Sequence, residues 1–299
     1  MIADAHAHFF SRGFFRTLGR EVGVTTDADV ALSGRLGWEA PGDDEALADR
    51  WVAELDRHHV ARTMLIASVP GDEASAATAA LRHPDRIAGA FMFNPAAPDA
   101  AARLAQAFER PGLRMVCLFP AMHRVPLDHD SVRAVFDAAA AHGRAVFVHC
   151  GVLSVGARKK LGLPSPFDLR LGDPLAVAAL AVRYPSVPVV IPHFGAGFFR
   201  EALMAAQAAP NILLDTSSSN GWMAIERLSL RDVFSRTLDL LGPTRLLFGT
   251  DSSFFPRGWQ KAIYDEQRAV VTDLGADDAA QALVFGGNFD RVIVGHRPA

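Results

Sequence analysis

Short segments rich in β-branched and aromatic residues alternate with longer, alanine-rich segments along the whole chain. This pattern predicts strands at 2–8, 63–69, 87–93, 114–119, 145–149, 188–193, 212–216 and 246–251. Helices are predicted around 44–59, 73–83, 99–110, 130–142, 173–184, 197–209, 222–241 and 258–285, the last region being long enough for two. Eight strand–helix repeats in 299 residues predict a single-domain, TIM-type (β/α)8 barrel over residues 1–299.

An open, doubly wound sheet is the main alternative fold. The first predicted strand is not followed by a GxGxxG motif, and the sequence contains no Walker-type loop. No segment rich in proline, glycine and serine divides the chain into two domains. These absences weaken the alternative without excluding it.

Two predicted connections are too long to be simple turns. Residues 9–43 follow the first strand and residues 151–172 follow the fifth, and both exceed the roughly 12 to 15 residues usual for unstructured loops. Loops after barrel strands lie on the face where catalysis normally occurs. We therefore expect 9–43 to be an insertion or lid, and 151–172 to form a pocket wall or lid.

The charge pattern favours a small-molecule partner. Thirty basic and 33 acidic residues give a formal net charge of -3, with no block of like charge, which argues against binding to nucleic acid or to an anionic membrane. No signal peptide and no run of 18 apolar residues is visible, and Cys117 and Cys150 are too few for a disulfide framework. These features predict a cytoplasmic protein without a membrane association.

Polar residues occupy alternate positions of the first predicted strand, "MIADAHAHFF". Residues i and i+2 of a strand face the same side, so His6 and His8 should point together into the barrel, with Asp4 one step below them. Two imidazoles at this spacing can share one metal ion.

Three further ionisable residues end other strands: His149 ends the fifth, His193 the sixth and Asp251 the eighth. The carboxyl ends of barrel strands assemble the active site from residues far apart in sequence. Neutral imidazoles together with a carboxylate suit Zn²⁺, with Mn²⁺, Fe²⁺ and Co²⁺ as alternatives. The set therefore predicts a metal site.

The ordered motifs "DAHAH", "VHC", "PHFG", "GTDSSF" and "GGNFDRV" resemble the amidohydrolase superfamily, within it the amidohydrolase 2 and aminocarboxymuconate-semialdehyde decarboxylase-like branch, over essentially the whole chain. The resemblance implies metal ligation by His6, His8, His149 and Asp251. It also implies an acid/base or polarising role for His193, and in some members the residue at Asp251 takes a proton from the metal-bound water.

One metal is expected rather than two. Two-metal members of this superfamily generally bridge their ions with a carboxylated lysine or a glutamate at the end of an early strand. The chain has three lysines, Lys159, Lys160 and Lys261, none of them in a predicted strand, and its fourth strand holds no glutamate. The missing glutamate also weakens the alternative of a TatD-like metal-dependent nuclease.

Several other residues have two interpretations each. Asp4 either orients a ligand ring or forms a buried ion pair with an arginine. Asp215 either contacts the substrate or caps a turn, and the serines that follow it are interpreted as loop residues. Arg158 and Arg170, and more weakly Arg257, either bind a substrate carboxylate or are solvated surface cations.

The leading hypothesis is a mononuclear metal-dependent hydrolase that attacks a lactone, an amide or a similar carbonyl with activated water. The alternative is a metal-dependent, non-oxidative decarboxylase of an unsaturated or aromatic acid, which would need an arginine placed to hold a carboxylate beside the metal. A third hypothesis, a barrel that binds a small molecule without turnover, is disfavoured by the complete set of ionisable residues. The alanine-rich outer helices would permit a homodimer.

Overall fold

Eight parallel strands form one sheet in the order β1 to β8 in the computed structural model, which describes residues 1–217 and 220–295. The strands are β1 Ala3–Phe9, β2 Arg62–Ala67, β3 Ile87–Phe93, β4 Leu113–Leu118, β5 Ala145–Val148, β6 Val189–Ile191, β7 Ile212–Asp215 and β8 Leu246–Leu247. The TIM-type barrel predicted from the alternating pattern is therefore confirmed.

The barrel is closed by hydrogen bonds between β1 and the chain that continues from β8. The Ala5 amide donates to the Phe248 carbonyl at 2.8 Å, and the His8 amide donates to the Ser252 carbonyl at 2.7 Å. In the opposite direction, the Asp251 amide donates to the His6 carbonyl at 2.9 Å. This seam brings the ends of β1 and β8 side by side.

Side chains of each strand alternate between two apolar layers. On β2, Met64 and Ile66 belong to the cluster inside the barrel, whereas Leu65 and Ala67 pack in the layer between sheet and helices. The interior cluster is closed at the amino-terminal end by Phe289 and its neighbours from the end of the chain. The strands are thus buried on both faces, as expected for a parallel sheet.

The helices cover the outside of the sheet and its carboxyl-terminal face. They are α1 Arg12–Glu21, α2 Ala28–Leu36, α3 Asp44–Arg57, α4 Glu73–Arg82, α5 Ala100–Phe108, α6 Pro120–His123, α7 Asp130–His142, α8 Gly156–Lys160, α9 Pro174–Arg183, α10 Phe199–Ala208, α11 Met223–Glu226, α12 Leu230–Leu241, α13 Lys261–Asp273 and α14 Asp278–Ala282. None of the helices within the described residues is long and apolar enough to cross a membrane.

The predicted helix 222–241 is divided in two. Arg227 has a left-handed φ of 53°, which ends α11, and Ser229 then begins α12 with a capping box to Asp232. A serine three residues before an acidic residue is a helix-start pattern, and here it marks the start of the second helix in the sequence.

The two long connections contain helices and pack together. Residues 9–43 hold α1 and α2, and residues 151–172 hold α8. Phe15, Leu18 and Leu32 of the first connection share one apolar cluster with Ala157 of the second. The packed pair covers the carboxyl-terminal face of the barrel, and its movement as a lid remains a prediction.

Candidate metal centre

His6, His8 and Asp251 meet at the barrel seam. The Nε2 atom of His8 lies 2.9 Å from Asp251 Oδ1, and the Nε2 atom of His6 lies 3.7 Å from the same oxygen. One donor atom from each of the three residues lies within 4.8 Å of the other two. The seam therefore brings three of the ionisable residues singled out in the sequence to one point.

Protein groups occupy the other ring nitrogen of both histidines. His6 Nδ1 lies 2.6 Å from Asp215 Oδ2, and His8 Nδ1 lies 2.8 Å from Ser68 Oγ. Because the Ser68 hydroxyl donates its own proton to the Ile66 carbonyl at 2.9 Å, Ser68 Oγ accepts from His8 Nδ1. Both rings thus carry a proton on Nδ1 and turn Nε2 toward Asp251, which is the orientation of a metal-ligating histidine.

The charges at this point fit a cation. His8 Nε2 and Asp251 Oδ1 are both acceptors, so their 2.9 Å contact requires a proton or a cation between them. Burial lowers the pKa of His6, but the attraction of Asp215, its hydrogen bond and the charges of Asp251 and Asp4 outweigh burial and raise that pKa to about 9. A nitrogen and oxygen donor set with surplus negative charge suits a divalent metal ion.

Asp251 is ionised in this setting. Burial raises its pKa, but the 2.9 Å contact with His8 and the nearby imidazoles of His6 and His193 outweigh burial and hold the pKa below its ordinary value. The residue adopts a left-handed φ of 56°, as does His193 with 53°. Non-glycine residues in this conformation cluster at functional sites. Strands β6 and β8 end at Ile191 and Leu247, earlier than predicted.

His149 and His193 face the group of three across the same cavity. The His193 ring centroid is 5.0 Å from that of His6 and 5.3 Å from that of His149. His149 stacks on Phe119, and its Nδ1 atom is buried without a hydrogen-bond partner in the part of the chain that the structure describes. His149 stands outside the group of three; burial and the neighbouring imidazoles hold its pKa well below the ordinary value, so its ring is neutral.

Ser217 joins the two sides of the site. Its Oγ atom lies 2.8 Å from His193 Nδ1 and 3.0 Å from His6 Nδ1. Because His6 Nδ1 carries a proton, Ser217 Oγ accepts there, and its own proton is directed at His193 Nδ1. The Ser217 carbonyl, which can only accept, lies farther from the same nitrogen, at 3.3 Å, so the shorter hydroxyl contact favours a His193 ring protonated on Nε2. The sequence predicts a loop residue at Ser217, although its spacing from Asp215 is the same i, i+2 pattern as in β1. Ser218 and Ser219 lie outside the described residues.

Neither interpretation of Asp4 describes its contacts. It accepts hydrogen bonds from the His6 amide at 2.9 Å, the Thr250 hydroxyl at 2.5 Å and the Trp259 indole at 2.8 Å, with no arginine partner in residues 1–217 and 220–295. An irregularity in the β1 register between Asp4 and Ala7 reverses the alternation of the strand, so Asp4 does not share the face of His6 and His8. Asp4 instead fixes the backbone on both sides of the seam.

The structure places some of the other secondary candidates at the cavity and others away from it. Asp215 is fully buried behind His6 and does not line the cavity. Arg170 points away from the cavity, with its side chain 89% exposed and paired to Asp168 at 2.7 Å. Arg158 lines the cavity but is paired with Glu21 at 2.7 Å, and Arg257 lines it beside Asp251.

The cavity has a volume of about 360 Å³ and opens at the carboxyl-terminal face. Its floor contains His6, His8, His149, His193 and Asp251. Its walls are mainly apolar and come from the two long connections and the segment after β8. A cluster of candidate metal ligands at the base of an apolar pocket is typical of a small-molecule site.

Comparison with solved structures gives the same fold at low sequence identity. The 5-carboxyvanillate decarboxylase LigW of Sphingomonas paucimobilis is 16% identical with a TM-score of 0.66, and the match covers 98% of each chain. A probable 2-pyrone-4,6-dicarboxylic acid hydrolase of Acinetobacter baumannii, with citric acid bound, is 14% identical with a TM-score of 0.62, covering 98% of this chain and 99% of that one. An amidohydrolase of Burkholderia multivorans with bound zinc is 16% identical with a TM-score of 0.64, also covering 98% and 99%.

One curated relative matches over a short stretch. Protein fluG of Emericella nidulans is 30% identical over 89 residues, which is 30% of this chain and 10% of that protein. The chain thus spans about a tenth of the length of this relative.

The match to a family model extends over nearly the whole chain. The model described as "Amidohydrolase" aligns with residues 3–292, from β1 to the last turn beneath the barrel. The aligned region contains all eight strands and every residue of the candidate centre. The chain belongs to the amidohydrolase family.

Proposed function

We propose that this protein is a mononuclear metal-dependent hydrolase of a small-molecule lactone, amide or similar carbonyl. The observation that carries the proposal is the convergence of His6 Nε2, His8 Nε2 and Asp251 Oδ1, with both histidine Nδ1 atoms held by Asp215 and Ser68. These three residues would hold the metal, with His149 as the fourth donor. Zn²⁺ is the preferred ion, and Mn²⁺, Fe²⁺ or Co²⁺ would suit the same donors.

Each polar residue of the site has a step to perform. A divalent ion, when bound, supplies Lewis acidity that polarises a carbonyl oxygen and lowers the pKa of water. Asp251 is ionised and its side chain is 28% exposed, so it would accept the proton of the attacking water. His193, protonated on Nε2, would donate to the carbonyl oxygen or the leaving group, while Asp215 and Ser68 keep the ligand rings oriented.

A decarboxylase on the same scaffold is the second candidate. The observation that favours it is Arg257, whose guanidinium lies on the cavity wall within 3.2 Å of the Asp251 carbonyl. Such a cation could hold the carboxylate of an acid substrate beside the metal. The two reactions differ in their products, so one assay that follows both products distinguishes them.

The test is an assay of the metal-loaded protein on lactones, amides, and aromatic and unsaturated acids, in which proton release from lactones, amine formation from amides and CO2 evolution from acids are followed together. We expect a hydrolysis product without CO2, and a loss of activity of at least about 100-fold in His193→Asn and Asp251→Asn. His59→Asn is a matched control, because His59 is an exposed histidine with a left-handed φ of 55° and lies outside the cavity. Evolution of CO2 would replace the hydrolase by the decarboxylase, and full activity of both variants would refute the assignment of the site.

A further inference from the structure

We propose that the cavity takes a flat, largely apolar carbonyl compound bearing one carboxylate, with Arg257 as the partner of the carboxylate and the stacked rings of Phe10, Trp38 and Phe254 as its wall. The position of the reacting carbonyl rests on the proposed function. The carboxylate site itself rests on contacts of the cavity wall that do not involve a metal.

A column of parallel rings forms one wall of the cavity. Phe10 stacks on Phe14 with ring centroids 4.1 Å apart and planes within 8°. Trp38 continues the column, 5.4 Å from Phe10 and 4.2 Å from Phe254, with interplanar angles of 13° and 11°. All four rings line the cavity. Because the stacked faces cover one another, the column turns ring edges to the cavity, and ring edges pack favourably against the face of a planar, conjugated ligand.

Arg257 ends this column and is held in a fixed orientation. Its guanidinium carbon lies 4.5 Å from the Phe254 ring centroid, and its Nη2 atom donates to Ser253 Oγ at 2.6 Å and to the Asp251 carbonyl at 3.2 Å. These contacts use Nη2 alone, so the Nε and Nη1 protons remain for a ligand. Stacking and hydrogen bonding fix the group in advance, which reduces the entropy lost when a ligand binds.

Arg257 also lacks an acidic partner, unlike the other arginine of the cavity wall. No carboxylate oxygen lies within 4.0 Å of its guanidinium in the described parts of the chain, whereas Arg158 is paired with Glu21 at 2.7 Å. Arg158 is further bonded to the Pro164 carbonyl at 2.8 Å. Arg257 is therefore the cation of the wall that is left for a ligand anion.

The walls offer little to a polyhydroxylated substrate. Four hydroxyls line the cavity: Ser68 is bonded to both His8 and the Ile66 carbonyl, Ser253 and Thr17 accept from Arg257 and Arg20 and keep one proton each, and Ser154 is the fourth. The remaining wall is dominated by aromatic and aliphatic side chains. Most hydroxyls of a sugar placed there would lose their hydrogen bonds to water without replacement, so a conjugated acid fits better than a sugar lactone.

Binding of three probe lactones tests the proposal by calorimetry on the metal-loaded protein. Coumarin-3-carboxylate and coumarin share one planar ring system and differ in the carboxylate, and D-glucono-1,5-lactone is the polyhydroxylated probe. We expect coumarin-3-carboxylate to bind at least about tenfold more tightly than the other two. Arg257→Ala should weaken the binding of coumarin-3-carboxylate by about 10- to 100-fold and that of coumarin by less than about threefold.

Arg50→Ala is the matched control. Arg50 lies over the neighbouring Phe255 ring at 4.3 Å, but it is paired with Glu39 and does not line this cavity. The control should leave the carboxylate preference unchanged. Arg257→Lys keeps the charge and should keep most of the preference, which separates loss of the anion partner from a general loss of folding. A full carboxylate preference in a folded Arg257→Ala protein would overturn the proposal.

The outcome of the binding measurements does not depend on whether the protein hydrolyses any of the probes. A protein that binds coumarin-3-carboxylate through Arg257 and hydrolyses no member of the lactone and amide panel would retain the carboxylate site and refute the hydrolase. A protein that hydrolyses neutral or sugar lactones with no effect of Arg257→Ala would retain the hydrolase and refute the carboxylate site.

Discussion

The Ser217 hydroxyl contacts two residues of the site, the candidate metal ligand His6 and the candidate acid His193. It contacts two imidazoles, at His6 Nδ1 and His193 Nδ1, whereas the Ser68 hydroxyl contacts one, that of His8. Removal of each hydroxyl therefore has a different expected consequence. Loss of the Ser68 hydroxyl should affect only the orientation of a candidate metal ligand, whereas loss of the Ser217 hydroxyl should also affect the tautomer of His193.

We predict that Ser217→Ala lowers metal affinity by about 10- to 100-fold and also changes the tautomer of His193. Ser68→Ala should lower metal affinity to a similar extent and leave His193 unchanged. Imidazole nitrogen chemical shifts from NMR report the tautomer, and metal titration reports the affinity. An unchanged His193 spectrum in a folded Ser217→Ala protein would contradict the hydrogen-bond direction inferred here.

The sequence identified the polar residues at strand ends, because strand periodicity and barrel topology together specify which end of a strand reaches the active-site face. It could not identify their partners. Asp215 and Ser68 each bond a histidine on another strand, and that pairing depends on barrel register rather than on local spacing. Arg170 shows the same limit, since a loop arginine close to a catalytic strand in sequence turned toward Asp168 and solvent.

At the scale of elements, Gly249 controls how closely β8, β1 and β7 approach. A Cβ atom at this position would lie 2.8 Å from His6 Cβ, 3.0 Å from Asp215 Oδ1 and 3.1 Å from Ser217 Cβ. Contacts this short would force the strand ends apart at the point where the candidate metal ligands meet.

Gly249→Ala is therefore expected to reduce metal affinity by at least about tenfold and to destabilise the fold by about 1–3 kcal/mol. Gly34→Ala in α2 is the control, because no atom lies within 4 Å of its added Cβ, and we expect an unchanged or slightly higher stability. Thermal unfolding and metal titration measure both quantities. Wild-type affinity in Gly249→Ala would show that the ligands are not positioned by this contact.

The elements themselves were largely predictable, and their ends were not. Hydrophobic periodicity located all eight strands, since each is buried on both faces. The irregularity in β1 that turns Asp4 to the other face left no trace in local composition. The left-handed conformations of His193 and Asp251, just beyond β6 and β8, are likewise not specified by local propensity.

At the scale of the whole molecule, the seam that closes the barrel is also the place where the candidate metal ligands lie. His6 and His8 belong to β1, and Asp251 follows β8. An ion held by these residues would cross-link the first and last strands of the sheet. Metal binding should therefore raise the free energy of unfolding of the entire barrel, since the donors are assembled only in the folded state.

The most direct test is a Zn²⁺ titration of metal-free protein, followed by calorimetry and thermal unfolding. We predict one ion per chain and a stabilisation of about 2.7 kcal/mol when free Zn²⁺ is 100 times its Kd. His6→Ala and Asp251→Ala should lose both effects, while the exposed-histidine variant His59→Asn should keep them. Two ions per chain, or equal binding and stabilisation in His6→Ala and Asp251→Ala, would contradict a single metal centre at the barrel seam.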